Sequence, residues 1–266
     1  MFLERLSFVF FRVNAQVLLL VAQRHALMKT LAWGLSVLAY LATLSSSLSA
    51  SVNSVDVEPS HDGSRFVYEA RVGLMVAGEL DFSFSRSQQA YGFLGQFLTS
   101  KRMSEYYTWT GRFAAQGDWI DERPLTESYL VQSESADDDY KVVVMDDTRT
   151  QILQGRDSEF KVLPKPAGVD LISALLFTPG CFTGDAVHDG EDSYPIRLRN
   201  VSEATLPRRR GFHSGAVTRC DYDITTRRGK ERRLRVSMAQ VDGFWVATEV
   251  RVRLTFFPDP VFRLRG

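Results

Sequence analysis

The sequence predicts a mainly β fold: a curved antiparallel meander forming an open or partly closed barrel, with a short helix near residues 168–178. Three observations carry that reading. Apolar and polar residues alternate at period two in segment after segment, as they do in strands with one face on a core and one in solvent. Asp189-Gly190 and Asp242-Gly243 are dipeptides preferred in tight hairpins, where positive φ is needed. Beyond residue 50, the segment Gly168–Phe177 breaks the alternation and is apolar enough to be a helix.

In chain order, the first element is an export signal at 28–49. Met28-Lys29-Thr30 is a short basic start, Leu31–Leu44 an apolar run, and Ser45–Ala50 a small-residue cleavage region. The apolar run is shorter than the roughly 20 residues a spanning helix needs, which favours a cleaved signal over an anchor. Cleavage is expected after Ser49 or Ala50. No Cys stands in or just after the cleavage region, so a lipid-modified N-terminus has no attachment residue. Residues 1–27 admit two readings, an amphipathic extension or a stretch upstream of a true start at Met28. The completeness of the signal favours the second; translation from Met1 would let both apolar segments act as a membrane tether.

Residues 50–266 are then expected to form a single β-rich periplasmic domain. Phe66, Tyr68 and Ala70 alternate with Val67, Glu69 and Arg71; Leu80, Phe82 and Phe84 with Asp81, Ser83 and Ser85. Gln132–Asp139 is acidic and polar and reads as a loop before a strand at Lys141–Met145. Within Gly168–Phe177, Asp170 can cap the helix with its carboxylate, and Pro179-Gly180 ends it. Phe182–His188 is expected to pair with Ser193–Arg199. Thr218–Thr225 should pair with Glu231–Ala239, and the latter with Phe244–Phe256. Val246, Thr248, Val250, Val252 and Leu254 are placed on one face. Such a meander suits a barrel-like sheet, with the helix covering its concave face.

Composition narrows the chemistry. The chain has 32 Lys plus Arg and 32 Asp plus Glu. Removing residues 1–49 takes away Arg5, Arg12, Arg24 and Lys29 against Glu4, which leaves the exported part slightly acidic. That argues against a nucleic-acid partner, which wants a strongly basic face. Arginines still cluster at Arg208–Arg210 and from Arg227 to Arg235. The plain reading is solvated hairpin tips and charged edge strands; the functional one is contact with anionic lipid head groups. The two cysteines, Cys181 and Cys220, fit one disulfide in an oxidising compartment. It would close a loop of about 40 residues, worth about 3–4 kcal/mol in the chain-entropy model.

Catalytic and metal signals are weak. Of four histidines, His25, His61, His188 and His213, no two share metal-ligand spacing. Neither a phosphate-cradling glycine loop nor a nucleophile elbow is present. A hydrolase built from His188 or His213 with Ser173 or Ser214 has no spacing to single it out. Among the carboxylates, which include Asp137 and Asp138, Asp170 stands apart, and its helix-cap reading outweighs a catalytic one. No metal, cofactor or catalytic residue is therefore assigned. Aromatics crowd the first half, and Phe82, Phe84, Phe93, Tyr107 and Trp109 are the expected lining of an apolar groove inside the incomplete barrel. The competing reading makes them ordinary core.

Several short pieces together resemble the exported Gram-negative family called domain of unknown function 3108. They are Tyr68-Glu69-Ala70 with Ala77-Gly78-Glu79, Arg123-Pro124 before Tyr129, the stretch Gly168-Val169-Asp170-Leu171-Ile172-Ser173-Ala174-Leu175, Asp189-Gly190, and Tyr222 beside Cys220. The resemblance covers about residues 60–256, and the pattern of Gly168, Asp170, Ser173, Ala174 and Leu175 is its most specific part. Leu171 stands where the family often has Pro. The resemblance implies a β-rich envelope protein, similar to lipocalin-like and lipoprotein-carrier-like half-barrels, with no catalytic residues to carry over. The expectation is a non-enzymatic periplasmic protein that binds a lipid or other apolar ligand in its concavity. The alternative is a module that engages an envelope protein through strand edges or arginine-rich hairpins.

Overall fold

Phe66, Tyr68 and Ala70 turn to one side of their strand and are buried, and the same two-residue rhythm builds most of the molecule. The computed structural model describes residues 63–136, 139–254 and 258–266. The signal at 28–49, residues 1–27, His25, His61, Asp137, Asp138 and Phe256 lie outside the described residues. The strands are β1 (Ser64–Val72), β2 (Met75–Arg86), β3 (Ala90–Thr99), β4 (Trp109–Ile120), β5 (Arg123–Ser135), β6 (Lys141–Met145), β7 (Arg149–Gln154) and β8 (Lys161–Pro164). They continue as β9 (Val169–Asp170), β10 (Ala186–His188), β11 (Ser193–Leu206), β12 (Gly215–Thr225), β13 (Glu231–Val241), β14 (Phe244–Arg253) and β15 (Pro260–Leu264). A single-turn helix, α1 (Lys101–Ser104), lies between β3 and β4, with the Ser100 hydroxyl accepting the Met103 amide at 3.1 Å.

All 15 strands form one sheet in the order β8-β7-β6-β5-β4-β3-β2-β1-β15-β14-β13-β12-β11-β10-β9. Two meanders, β1–β8 and β9–β15, meet where the first strand pairs with the last, Tyr68 opposite Leu264. The ladders are antiparallel except for β9 with β10, which run parallel. The sheet is open, with β8 and β9 as its two ends. Yet β9 packs against β5, so the sheet curls until its β9 end meets the middle of the first meander. The core lies inside this curl.

The expected helix is present at Leu171–Phe177, and its Ser173–Phe177 part is π-helical. Asp170 caps it as expected: Oδ1 accepts the Ser173 amide at 2.8 Å. The backbone is extended again at Thr178, before Pro179. The expected disulfide joins Cys181 to Cys220, with Cα atoms 5.5 Å apart and a sequence separation of 39. It fastens the segment after the helix to β12 and fits an oxidising, extracytoplasmic setting.

Three local expectations need correction. Gln132–Ser135 belongs to β5 rather than to a loop, because Ser133 and Ser135 are buried and Gln132–Ser135 pair with β4. Val246 and Thr248 do not share a face with Val250 and Val252. Glu249 opposes Ser237 but Ala247 opposes Met238, so Thr248 is a bulge residue and the alternation reverses across it. Its hydroxyl donates to the Ser237 carbonyl at 2.9 Å. The arginines of β13 do not sit on an edge, because β12 and β14 flank that strand.

Asp242 (φ 52°) and Gly243 (φ 81°) make the expected two-residue turn between β13 and β14. The same geometry joins β4 to β5 through Asp121 (φ 48°) and Glu122 (φ 61°), with no glycine to supply it.

Candidate functional site

Phe177 decides what the concave face looks like. Projecting from the π-helical turn, it stacks on Phe84 with ring centres 4.2 Å apart and planes 6° from parallel. It meets Phe82 edge to face at 5.7 Å and lies 5.8 Å from Phe93. Three of the five aromatics expected to line a groove are thus brought together and covered by the helix. Trp109 packs on Phe97 and Phe113, with ring centres 4.8 and 6.2 Å away. Tyr107 is half-buried at the margin of the core.

The remaining space lies beside this stack. A slot of about 50 Å³ runs between the helix, represented by Leu171, Leu175 and Leu176, and the centre of the sheet, where Tyr68, Val250 and Phe262 form its floor. Of the five expected aromatics, Phe82 alone lines it. Every lining side chain is hydrocarbon apart from the Tyr68 hydroxyl. That hydroxyl is buried with no hydrogen-bond partner among the described residues. Burial pushes its pKa far above the ordinary phenol value. An unsatisfied hydroxyl in such a place costs about 1–3 kcal/mol.

A polar seam runs along the other side of the helix, where β9 meets β5. Asp170 is fully buried, and its Oδ2 accepts from the Thr126 hydroxyl at 2.7 Å and from the Tyr91 hydroxyl at 3.3 Å. Thr126 Oγ1 in turn accepts the Asp170 amide at 3.1 Å. The Ser173 hydroxyl donates to the Tyr91 oxygen at 3.2 Å. Lys165 Nζ donates to the Thr126 carbonyl at 3.0 Å. Burial pushes the Tyr91 phenol well up, and the Asp170 charge adds to that.

The seam continues into the β10–β11 turn. Gly190 has φ 86°, and a Cβ there would lie 2.7 Å from Val143 Cγ1 and 2.8 Å from Tyr129 Cδ1. A side chain is excluded twice over, by conformation and by space. Its amide donates to His188 Nδ1 at 3.2 Å, and the His188 ring stands edge-on to Tyr129 at 5.8 Å. Asp189 Oδ1 accepts the amides of Glu191 and Asp192 at 3.1 and 3.0 Å, while Oδ2 accepts the Tyr194 hydroxyl at 2.8 Å. Lys141, buried on β6, is ion-paired to Glu191 in this turn. Gly168 closes the seam at its start: with φ 103°, a Cβ would meet the Ala186 carbonyl oxygen at 2.5 Å.

Asp170, Ser173 and His188 are therefore close neighbours, the combination a Ser-His-Asp hydrolase would use. All three are buried, and the Ser173 hydroxyl is committed to Tyr91. His213 and Ser214 sit in the β11–β12 connection, where the His213 amide donates to the Leu264 carbonyl at 3.0 Å. Ala174 and Leu175 of the motif are buried in the core. Among the described residues, no three His, Cys, Asp or Glu side chains converge as a metal site would require.

Thr126 and the solitary Tyr68 hydroxyl were not visible as special in the sequence. Thr126 lies 44 residues from Asp170, and no local pattern marks it.

The chain matches no family model, no characterised protein and no solved structure. Its resemblance to the domain of unknown function 3108 family rests on the motif residues alone.

Proposed function

We propose that this chain is a non-enzymatic periplasmic protein of the domain of unknown function 3108 type. In this reading it holds an apolar ligand of fatty-acyl kind between the Leu171–Phe177 helix and the concave face of its sheet. One observation carries the reading: a slot with all-hydrocarbon walls is lined by Tyr68, whose hydroxyl is buried with no partner among the described residues. An acyl chain offers what is missing, hydrocarbon for the walls and one carbonyl or carboxylate oxygen for the hydroxyl. At about 50 Å³ the slot is too small for a chain as it stands. An apolar cavity of about 150 Å³ is what a benzene-sized guest occupies. Entry therefore requires Leu175 and Leu176 to swing away from the sheet. A π-helical turn, which is often placed at functional sites, is a suitable element for that movement. The burial of Ser173 and its bond to Tyr91 support binding over hydrolysis.

The test is titration of the purified protein with a fluorescent polyene fatty acid, alongside Tyr68→Phe. Saturable binding to the parent is expected, with affinity in the variant lower by about five- to tenfold, the worth of one hydrogen bond. The variant should also be the more stable of the two, since it no longer buries an unsatisfied hydroxyl. No binding to the parent, or equal binding by both, rejects the reading.

A second reading, a module for an envelope protein, has one observation in its favour. Strand β8 ends the sheet, and Phe160 just before it and Val162 within it are exposed. An apolar free edge is a template for an added strand. A photo-crosslinker at Val162 that captures one protein in cells would support it; lipid adducts at Leu175 would support the first.

A further inference from the structure

The outer face of the second meander carries a charge pattern that the ligand slot does not use. On antiparallel strands, directly opposed residues share a face. Arg233 of β13 opposes Arg253 of β14, and Arg235 opposes Arg251. On the other flank, Asp221 and Asp223 of β12 oppose Arg235 and Arg233. The carboxylates here are already engaged. Asp221 holds Arg235 through two hydrogen bonds of 2.7 and 3.2 Å. Asp223 holds Arg197 at 2.8 Å and Arg199 at 3.5 Å. Glu249 holds Arg251 at 3.2 Å and Arg263 at 2.8 Å.

Arg233 and Arg253 are left over. Neither has a carboxylate partner among the described residues. Two like charges placed directly opposite on neighbouring strands destabilise a sheet; Asp223 opposes Arg233 on the other flank, but its Oδ2 is turned to Arg197 and Arg199. Beside them the sheet is interrupted. Leu198 opposes Tyr222 but Asn200 opposes Asp221, so Arg199 is an extra, bulged residue. A depression of about 250 Å³ opens there, lined among others by Arg199, Asn200, Arg233, Arg235 and Arg253. A water molecule's share of liquid volume is about 30 Å³, so the depression has room for a tetrahedral oxyanion and its hydration.

We propose that this depression binds a phosphate-type oxyanion, gripped by the opposed guanidiniums of Arg233 and Arg253. Guanidinium forks match the oxygens of a phosphate two at a time. The bulge turns Arg199 towards the same space, and the Asn200 amide supplies a neutral donor. Asp221 also lines the depression, but its carboxylate is spent on Arg235. A terminal phosphate on a lipid head group and free phosphate carry the same chemistry.

The experiment compares the parent protein with Arg233→Gln/Arg253→Gln and with Arg208→Gln/Arg209→Gln. The second double variant removes the same charge from exposed residues in the β11–β12 connection. Inorganic phosphate is titrated at low ionic strength, where screening is weakest. Flotation with phosphatidylcholine vesicles, with and without phosphatidic acid, is the parallel arm. Thermal unfolding confirms that all three proteins are folded. The expected result is a loss of phosphate affinity of about tenfold or more in Arg233→Gln/Arg253→Gln, little change in the control pair, and an equal or higher unfolding midpoint for the former. Vesicle binding that depends on phosphatidic acid and is competed by inorganic phosphate assigns the site to the free anion. Vesicle binding that resists such competition assigns it to a lipid head group. Failure of the parent to bind either probe, or equal losses in both double variants, overturns the proposal.

Discussion

The Thr126 hydroxyl donates to Asp170 Oδ2 across 2.7 Å, and in doing so ties β5 to β9, two strands with no backbone ladder between them. Asp170 thus does two things with its two oxygens. One caps the helix that covers the core, and the other anchors the end of the sheet.

Removing either partner should therefore cost more than a helix cap alone. Asp170→Ala is expected to lower stability by about 3 kcal/mol or more, a cap plus buried charge-assisted hydrogen bonds. Thr126→Val keeps the shape, leaves the carboxylate a donor short and should cost about 1–3 kcal/mol. In urea unfolding the double variant should be less destabilised than the sum of the singles, because the two act on one network. Strict additivity would show that the residues act separately.

His188 makes the fold sensitive to acid. Burial holds its pKa below the ordinary imidazole value; the Asp170 and Asp189 charges oppose this and the Lys165 charge adds to it. The unfolded chain then takes up a proton at higher pH than the folded one. The contribution is fully present above about pH 6.5, the unfolded value, and is lost as pH falls towards the lower folded value, at no more than about 1.4 kcal/mol per pH unit. Denaturation midpoints between pH 7.5 and 5 should fall in the parent and fall less steeply in His188→Gln. Parallel slopes would place the titration elsewhere.

Glu122 sits at φ 61° in a turn built for glycine. Left-handed backbone costs an ordinary residue about 1–2 kcal/mol. Glu122→Gly removes that strain but gives the unfolded chain more freedom, so a net gain of about 0.5–1 kcal/mol is expected. A thermal midpoint that drops instead would mean that the Glu122 side chain makes a contact worth more than the strain.

Breaking the Cys181–Cys220 bridge by Cys181→Ala/Cys220→Ala should cost about 2–5 kcal/mol. The segment after the helix loses its tie to β12, so protease cleavage near residues 178–185 should quicken before the strands unfold. Uniform cleavage along the chain would argue against local release.

Most strands could be read from the sequence because alternation is a local property: Phe82 and Phe84 announce their face within five residues. The Asp242-Gly243 turn was legible for the same reason. The seam was not. Asp170 could be read as a cap from its place before an apolar run, but Thr126 and Tyr91 join it from other strands, and distance along the chain erases the signal. The turn at Asp121-Glu122 lacked the glycine that advertises positive φ. The aromatics Phe82, Phe84 and Phe93 could be read as a cluster, but their cover, Phe177, comes from a segment far along the chain. Arg233 is flanked by the two hairpins that the turn signals announce; what no local pattern encodes is the joint between the two meanders, the pairing of β1 with β15.

That last pairing sets the order of assembly. A chain synthesised from its N-terminus delivers β1 before β15, yet the two are neighbours across Tyr68 and Leu264. Until the final residues arrive, β1 presents a bare hydrogen-bonding edge, and the second meander has nothing to dock on. Contacts between the two extremes of a chain form slowly, and exposed edges invite aggregation in the interval. The last strand, Pro260–Leu264, is thus the keystone of the arch: a chain stopped short of it would hold two half-sheets with no joint between them.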